Sequence, residues 1–288
     1  MSGGLKIYKT VRNYIEVLKP RESSLLTYIG VCAAIIAGDG QISLKLLFIA
    51  VTILIASAGA NGLTNYIDRD VDARMQRTRH RALPSNRIDP PEKVLPLIIG
   101  LTVIGLALAW VLDPLCFYSD LIGTIAAVVW RHRATCVFPQ GVIASCAPLL
   151  MGWFAIDPTF SWAILLLCIL IAVWLPLHVW SVMIGNREDY IGAGLTFFPM
   201  NREPGDAVKV LLVFSLMLSL AAVTFYFVGD FALLYLIVAS LLSMVMVYAT
   251  LRLVVSSASD DAWRLYKLSA FPYLGILFLA MCLDIWLL

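Results

Sequence analysis

Long apolar stretches separated by short polar segments run along nearly the whole chain. Most of them approach the roughly 20 residues that a helix needs to cross the hydrocarbon core of a bilayer. The pattern predicts nine membrane-spanning helices, at residues 23–38, 44–64, 94–112, 115–130, 137–156, 160–182, 208–228, 231–255 and 268–288. The composition is 61% hydrophobic and 14% charged, whereas about 25% of residues are charged in soluble domains. We therefore predict an all-α polytopic membrane protein, forming one domain over residues 1–288 around a central cavity.

The basic residues fall on alternate connections between the predicted helices. Every Lys and Arg except Lys45 lies before the first helix, or in the loop after helix two, four, six or eight or at a helix end beside that loop. Because basic loops stay on the cytoplasmic side, we expect a protein of the cell membrane with a cytoplasmic N-terminus and an external C-terminus. Residues 5–18 alternate apolar and basic groups, which predicts an amphipathic helix at the cytoplasmic interface. The lipid bilayer is the expected surrounding, and no nucleic-acid partner is expected.

Two cytoplasmic connections, 65–93 and 184–207, are longer than the others. Both combine acidic and basic residues with Gly or Pro. We expect these two loops to carry the active site and to form a cap over the cavity.

Polar side chains form a stripe along the end of the second predicted helix. At helical spacing one face carries Asn61, Asn65, Asp68 and Asp72. Carboxylates one turn apart can hold Mg²⁺, which often joins protein oxygens to substrate phosphates, and the following Arg77 and Arg81 suit phosphate binding. The other interpretation is a helix end at the membrane surface, whose acids pair with neighbouring arginines or with water. We favour a site for Mg²⁺ and phosphate.

A second polar group follows the sixth predicted helix. His178 lies within the apolar run, and Asp189 and Tyr190 come after it. If the helix continues, His178 and Asp189 share one face. Four roles are open for the histidine: heme ligand, proton carrier, phosphate contact or packing residue. Taken alone, Arg131 and Arg133 after the fourth helix are typical of positive-inside anchors.

Together these residues resemble the UbiA-type intramembrane prenyltransferases. The most specific part is Tyr66-Ile67-Asp68-Arg69-Asp70-Val71-Asp72 followed by Met75-x-Arg77-Thr78. The segment with His178 and Asp189-Tyr190 resembles the branch of the family whose acceptor is protoheme IX. The resemblance implies a Mg²⁺-dependent enzyme that transfers a farnesyl group from farnesyl diphosphate to a vinyl group of protoheme IX. Downstream heme-modifying or oxidase-assembly proteins are further implied partners.

The resemblance also implies residue roles. The metal would be held by Asp68 and Asp72. Catalysis would involve Asp68, Asp72, Asn65 and Asp189. Substrate binding would involve Lys19, Asn61, Arg77, Arg81, Arg131, Arg133, His178 and Tyr190. Thr64 stands where the family usually has Asn, so Asn65 or Asn61 would supply that amide.

Two alternatives remain open from the sequence. A related polyprenyltransferase would act on a quinone precursor or a lipid acceptor. A heme-handling or transport membrane protein could also place acids and a histidine in a cavity.

Overall fold

The computed structural model describes residues 2–129 and 139–287, with side chains from residue 7 onward. This part of the chain is helical and contains no strand. Its α-helices are α1 (Ser2–Val17), α2 (Pro20–Ala37), α3 (Leu44–Asp72), α4 (Leu95–Leu112), α5 (Pro114–Val128), α6 (Gln140–Phe154), α7 (Trp162–Gly185), α8 (Arg187–Gly192), α9 (Pro204–Val228), α10 (Leu233–Ser256), α11 (Ser259–Leu268) and α12 (Ile276–Leu287). A 3₁₀ turn, Pro91–Val94, precedes α4, and a π-helical stretch, Ser269–Gly275, joins α11 to α12.

Six helical segments in the described ranges are long and apolar enough to cross a membrane. They are Leu44–Asp72, Pro91–Leu112, Trp162–Gly185, Pro204–Val228, Leu233–Ser256 and Ser259–Leu287. Large apolar side chains such as Trp110, Leu220 and Leu241 lie exposed on the outside of the bundle. Water would disfavour such a surface, whereas lipid accommodates it. The protein is therefore a multi-pass membrane protein.

Two helices differ most from their predicted bounds. The prediction ended the second span at residue 64, but α3 continues to Asp72. No Gly or Pro lies between Thr64 and Asp72 to end the helix, so the predicted loop 65–93 begins with two more helical turns. The last predicted span began at 268, whereas the helix begins at Ser259 and leaves α-helical geometry at Ala270, close to Pro272.

The helices pack around a close contact between α2 and α6. A Cβ added to Gly152 would lie 1.8 Å from the carbonyl oxygen of Gly30, so any larger residue there would force the two helices apart. On one side α3, α4 and α5 complete the wall, and on the other side α7, α9, α10 and α12 continue it back to α2. Such close packing at small residues is typical of helices that cross a membrane.

Helix α1 lies against the segment that precedes α4. Glu16 accepts a hydrogen bond from Arg87 Nη2 at 2.7 Å and another from the Ala82 N–H at 3.0 Å. Its other face exposes Ile7 and Val11. This apolar face fits the predicted amphipathic helix at 5–18, whose place at a membrane interface stays a prediction.

Candidate active site

A cavity of about 420 Å³ lies between α3, α5, α6 and α7. At one end it is bordered by charged side chains from α3 and from the two long loops. Further inside, its walls are mainly the apolar and small side chains of the membrane-spanning helices. We call the charged end the mouth of the cavity. A long apolar space with a charged mouth suits a ligand that has a polar head and a hydrocarbon tail.

The cavity brings together seven of the side chains that the sequence singled out. They are Lys19, Asn61, Asp68, Asp72, Arg77, Arg81 and Tyr190. They come from the start of α2, from α3, from the turn after α3 and from α8, so the fold gathers parts of the chain that are far apart in sequence. Arg131 and Arg133 lie outside the described residues, and their predicted phosphate role stays a prediction.

Asp72 is held in place at the mouth by the turn that follows α3. Its Oδ2 accepts a hydrogen bond from Arg81 Nη1 at 3.0 Å. The hydroxyl of Thr78, which is fully buried, donates to the Asp72 carbonyl at 2.9 Å. The turn therefore folds back onto the helix end. As a result, an arginine lies beside the carboxylate where both can meet a phosphate.

On the opposite side of the mouth, polar pairs join α2 to α3. Lys19 Nζ donates to Thr64 Oγ1 at 3.3 Å, and Asn61 Nδ2 donates to Ser23 Oγ at 3.0 Å. Lys19 has a left-handed backbone, with φ of 48°, and ends the short connection between α1 and α2. This conformation directs the chain so that the ammonium group reaches α3.

Asn65 is placed differently from the sequence prediction. Its side chain is buried and Nδ2 donates to the Val17 carbonyl at 2.7 Å, which holds the end of α1. It borders a neighbouring cavity of about 590 Å³ between α1, α2 and residues 80–84. At this level of α3 the main cavity is lined by Thr64. Asn65 therefore packs α1 onto α3, because the last carbonyl groups of α1 need hydrogen-bond donors.

Asp189 also lies outside the cavity wall, where it joins the two long loops. Its Oδ1 accepts the Gln76 N–H at 2.6 Å, and its Oδ2 accepts the Arg77 N–H at 3.0 Å. These bonds fix the backbone of the turn that carries Arg77. In this position Asp189 acts on the site through that turn.

Arg77 is oriented by Tyr190, the neighbour of Asp189. Its Nη2 donates to the Tyr190 hydroxyl at 3.2 Å, and its guanidinium carbon lies 5.9 Å from the centre of the ring. Burial raises the pKa of Tyr190 above its usual range, although the positive charge of Arg77 acts in the opposite direction. Arg77 Nε is buried and has no hydrogen-bond partner within residues 2–129 and 139–287, so it has a donor to offer a ligand.

His178 faces away from the cavity. Its ring stacks between Trp174, with centroids 4.8 Å apart, and Tyr266, with centroids 4.6 Å apart. Its Nδ1 lies 2.9 Å from Ser269 Oγ. Helix α7 also ends at Gly185, with Asn186 at its C-terminus, so His178 and Asp189 do not share a continuous helix. The predicted contact of His178 with a substrate stays a prediction.

Sequence reasoning missed several polar residues of the cavity wall, among them a carboxyl group and an amide. Asp120, on α5, is 5% exposed, and Gln140, at the start of α6, is 7% exposed, with Nε2 lacking a hydrogen-bond partner among the described residues. A carboxyl group inside an apolar helix is a signal of function in its own right. Asp120 belongs to no sequence motif, and for that reason it was not identified as a candidate residue from the sequence.

The donor set at the mouth fits a magnesium ion shared with a substrate. Asp68 and Asp72 both border the cavity one helical turn apart. Among the described residues, no group of three or more His, Cys, Asp or Glu side chains is close enough to enclose a metal. Mg²⁺ commonly uses only one or two carboxylates and completes its shell with water and phosphate oxygens. The two aspartates therefore suit Mg²⁺ better than a metal enclosed by protein ligands alone.

Comparison with known proteins identifies the family of the chain. Residues 24–280 match the model of the UbiA prenyltransferase family. The chain belongs to this family. It is 34% identical over 285 residues to the protoheme IX farnesyltransferase of Desulforudis audaxviator, with 96% of this chain and 90% of that protein covered. The family and this relative identify the chain as a prenyltransferase enzyme.

Two solved structures share the fold of this UbiA protein. One, from a study of digeranylgeranylglyceryl phosphate synthase in membranes, has a TM-score of 0.73 at 17% identity and covers 96% of this chain and 99% of its own. The other is a UbiA homologue from Archaeoglobus fulgidus bound to GPP and Mg²⁺, with a TM-score of 0.63 at 16% identity, covering 96% and 100%. At these identities the likeness concerns the fold.

Proposed function

We propose that this UbiA protein transfers the farnesyl group of farnesyl diphosphate to a vinyl group of protoheme IX, with diphosphate leaving and water adding to the cation formed on the vinyl group, which gives the hydroxyethylfarnesyl side chain of heme O. The observation that carries the proposal is the cavity mouth, where Asp68 and Asp72 lie together with Lys19, Arg77 and Arg81. The acceptor is suggested by the name of the relative from Desulforudis audaxviator. The alignment covers 90% of that protein and 96% of this chain.

In this function Asp68 and Asp72 hold Mg²⁺ against the diphosphate. The ion, when bound, withdraws charge from the leaving diphosphate and so favours cleavage of the allylic carbon–oxygen bond. Because the A. fulgidus homologue was solved with GPP and Mg²⁺, the same pairing of metal and prenyl diphosphate is reasonable for this chain.

The basic side chains stabilise the same leaving group. Arg77 offers its unpartnered Nε–H, and its orientation is fixed by Tyr190 and by the backbone bonds of Asp189. Arg81 and Lys19 add positive charge from two other sides of the mouth. Such preorganised charges contribute most where water is excluded. The apolar walls behind the mouth keep the developing cation away from bulk water.

The proposal includes the arrangement in the membrane. Nine spans, with the N-terminus and the mouth on the cytoplasmic side of the cell membrane, follow from the distribution of basic residues. The hydrogen bonds of Asp189 to Gln76 and Arg77 support a cap in which the loops at 65–93 and 184–207 act as one unit.

The test is product analysis with purified protein in lipid. Farnesyl diphosphate, protoheme and Mg²⁺ are supplied, and the products are identified by mass spectrometry. We expect heme O, and Asp68→Asn and Asp72→Asn should each lower turnover roughly 100-fold or more. Turnover of a quinone precursor or a lipid acceptor, with protoheme left unchanged, would refute the assignment of the acceptor.

A matched control lies on the same helix. Asp70 belongs to the same run of acids, but its side chain is 78% exposed and lies 3.7 Å from Arg69 Nε. Asp70→Asn removes one carboxylate without altering the wall of the cavity. We expect it to retain activity near that of the unaltered protein, so that a loss confined to Asp68 and Asp72 reports their position.

A further inference from the structure

Asp120 is a carboxyl group buried in the wall of the same cavity. Its side chain lies on α5, within the membrane-spanning part of the protein, and is 5% exposed. The hydrogen bond that its Oδ1 receives, from Thr124 Oγ1, is 3.5 Å long, which is a weak bond for two oxygens. A buried carboxyl group with so little support is unfavourable unless a ligand completes its hydrogen bonding.

The face of α5 that carries Asp120 is built to line a cavity. Asp120, Gly123, Thr124 and Ala127 recur at helical spacing and all border it. Gly123 lets α6 approach closely, because a Cβ at this position would lie 2.3 Å from Ala147 Cβ. This close approach fixes the wall on which Asp120 and Thr124 are displayed. The two side chains are thus held toward the ligand space by backbone packing.

Contacts with the neighbouring helices show how far this part of α5 lies from the mouth of the cavity. Gly123 faces Ala147 on α6, and a Cβ on Gly30 would lie 2.5 Å from the carbonyl oxygen of Pro148 and 2.6 Å from Ile53 Cδ1. Because Ala147 and Pro148 are adjacent, Gly123 on α5 and Ile53 on α3 lie at about the same height along the axis of the helix bundle.

Asp120 is therefore far from the metal-binding aspartates. Asp68 lies fifteen residues beyond Ile53 on α3, which corresponds to roughly 20 Å of helix. The start of α5 lies furthest from the mouth, because Cys116 Sγ contacts the Met151 carbonyl at 3.2 Å and Met151 is further along α6 than Ala147. Asp120 lies between Cys116 and Gly123 on α5, so it is nearly one turn further from the mouth than Gly123. The cavity thus has polar groups at both ends and an apolar stretch between them.

We propose that Asp120 and Thr124 form a binding site for a carboxyl group of the acceptor. The inference rests on the proposed function, in which the acceptor is protoheme. Its propionate side chains project from the edge of the macrocycle remote from the vinyl groups. With the reacting vinyl carbon near the mouth, a propionate reaches toward the inner end of the cavity. Asp120 and the propionate then share one proton in a short hydrogen bond, and the Thr124 hydroxyl donates a second bond.

The pairing explains how one cavity can orient a flat acceptor. The apolar walls contact either face of a macrocycle alike, so they do not determine which edge points to the mouth. A carboxyl-binding site at the inner end does so, because only one edge carries propionates. Asp120 is thus a specificity-determining residue, distinct in position and chemistry from the aspartates at the mouth.

The experiment compares protoheme with its dimethyl ester, whose blocked propionates cannot share the proton. The acceptor KM, the prenyl diphosphate KM and kcat are measured with the unaltered protein, Asp120→Leu and Asp120→Asn. For the unaltered protein we expect the ester to raise the acceptor KM roughly tenfold. In Asp120→Leu the KM for protoheme should rise by a similar factor, and the ester and the free acid should become equivalent. The KM for prenyl diphosphate should stay unchanged.

The control and the smaller variant use the same helix. Asp113 caps the start of α5, accepting the Leu115 N–H at 2.7 Å, and Asp113→Asn keeps that capping ability away from the cavity. It should retain the difference between acid and ester. Thr124→Val keeps Asp120 but removes the hydroxyl beside it, and should reduce part of the difference in acceptor KM between protoheme and its dimethyl ester. This variant tests the site even if Asp120→Leu fails to fold.

The outcomes separate the inference from the proposed function. An equal effect of esterification in Asp120→Leu and in the unaltered protein would overturn the carboxyl-binding site and leave heme farnesylation standing. Failure of the unaltered protein to farnesylate protoheme, with activity on another acceptor, would refute the proposed function and this inference with it.

Discussion

The carboxylate of Asp189 accepts the backbone N–H of Arg77 at 3.0 Å across 112 residues of sequence. This bond and its partner at Gln76 make α8 a support for the turn that brings Arg77 into the cavity. Asp189 is an acid, and the resemblance to known prenyltransferases implied a catalytic role for it. Its position indicates that it contributes by holding another residue, since it lies outside the cavity wall and its oxygens accept the backbone N–H groups of this turn.

This position predicts how Asp189→Ala will behave. Loss of both hydrogen bonds leaves the Gln76 and Arg77 N–H groups unsatisfied and loosens the turn. We expect the KM for prenyl diphosphate to rise about tenfold, while the concentration of Mg²⁺ needed for half-maximal activity changes little. Faster hydrogen exchange of residues 74–81 should accompany the change.

Glu188 provides the matched control for that experiment. It is the neighbouring acid, its side chain is exposed, and Glu188→Ala should leave both kinetic constants and the exchange rates near their original values. A large loss of Mg²⁺ affinity in Asp189→Ala, without faster exchange, would instead identify Asp189 as a metal ligand.

Asn65 leads to a prediction about stability. Its Nδ2 is the donor to the Val17 carbonyl at 2.7 Å, so Asn65→Ala leaves a buried acceptor without its partner at the end of α1. We expect a destabilisation of about 1–3 kcal/mol, with kcat per folded molecule reduced only slightly. Thermal unfolding in detergent, measured beside turnover, checks both statements. Turnover that is abolished at an unchanged melting temperature would contradict them and favour a catalytic amide.

The multi-pass helical architecture and the one-turn spacing of the first acidic pair could be predicted from sequence because their signals are local. A run of apolar residues is sufficient to identify a membrane helix, and Asp68 and Asp72 are one turn apart on the same helix. The choice between Thr64 and Asn65 could not be made in this way. At about 100° per residue they lie on opposite sides of the direction of Asp68, and only the distant packing of α1 determines which one faces the cavity.

Other features required the folded chain for the same reason. The orientation of His178 depends on Tyr266 and Ser269, about 90 residues later, and the task of Asp189 depends on a turn near residue 76. Asp120 is a different case. An acid within a predicted span was visible in the sequence, but only the cavity shows that it faces a ligand space.

The setting of His178 predicts that its ring shape matters more than its basicity. Its aromatic faces contact Trp174 and Tyr266, so His178→Phe keeps both contacts and loses one hydrogen bond to Ser269. We expect His178→Phe to retain activity within about tenfold of the unaltered protein, and His178→Ala, which leaves a cavity, to be destabilised by about 2 kcal/mol or more. The heme absorption spectrum of the bound acceptor should be the same in His178→Phe. A shifted spectrum together with abolished turnover would identify His178 as a heme ligand.

The environment of Tyr190 predicts the behaviour of the site at alkaline pH. Because burial raises the pKa of Tyr190 above the usual value of about 10, its hydroxyl stays protonated throughout the neutral and mildly alkaline range. The folded state binds this proton more tightly than the unfolded state, so the stability contributed by Tyr190 is fully present below pH of about 10 and is lost as the pH rises further. Between about pH 6 and pH 9, Tyr190→Phe should therefore lower kcat/KM for prenyl diphosphate by a constant factor, through loss of the hydrogen bond to Arg77. Profiles of kcat/KM against pH for the two proteins check this. A ratio that falls toward one with rising pH would show that the phenol ionises in this range.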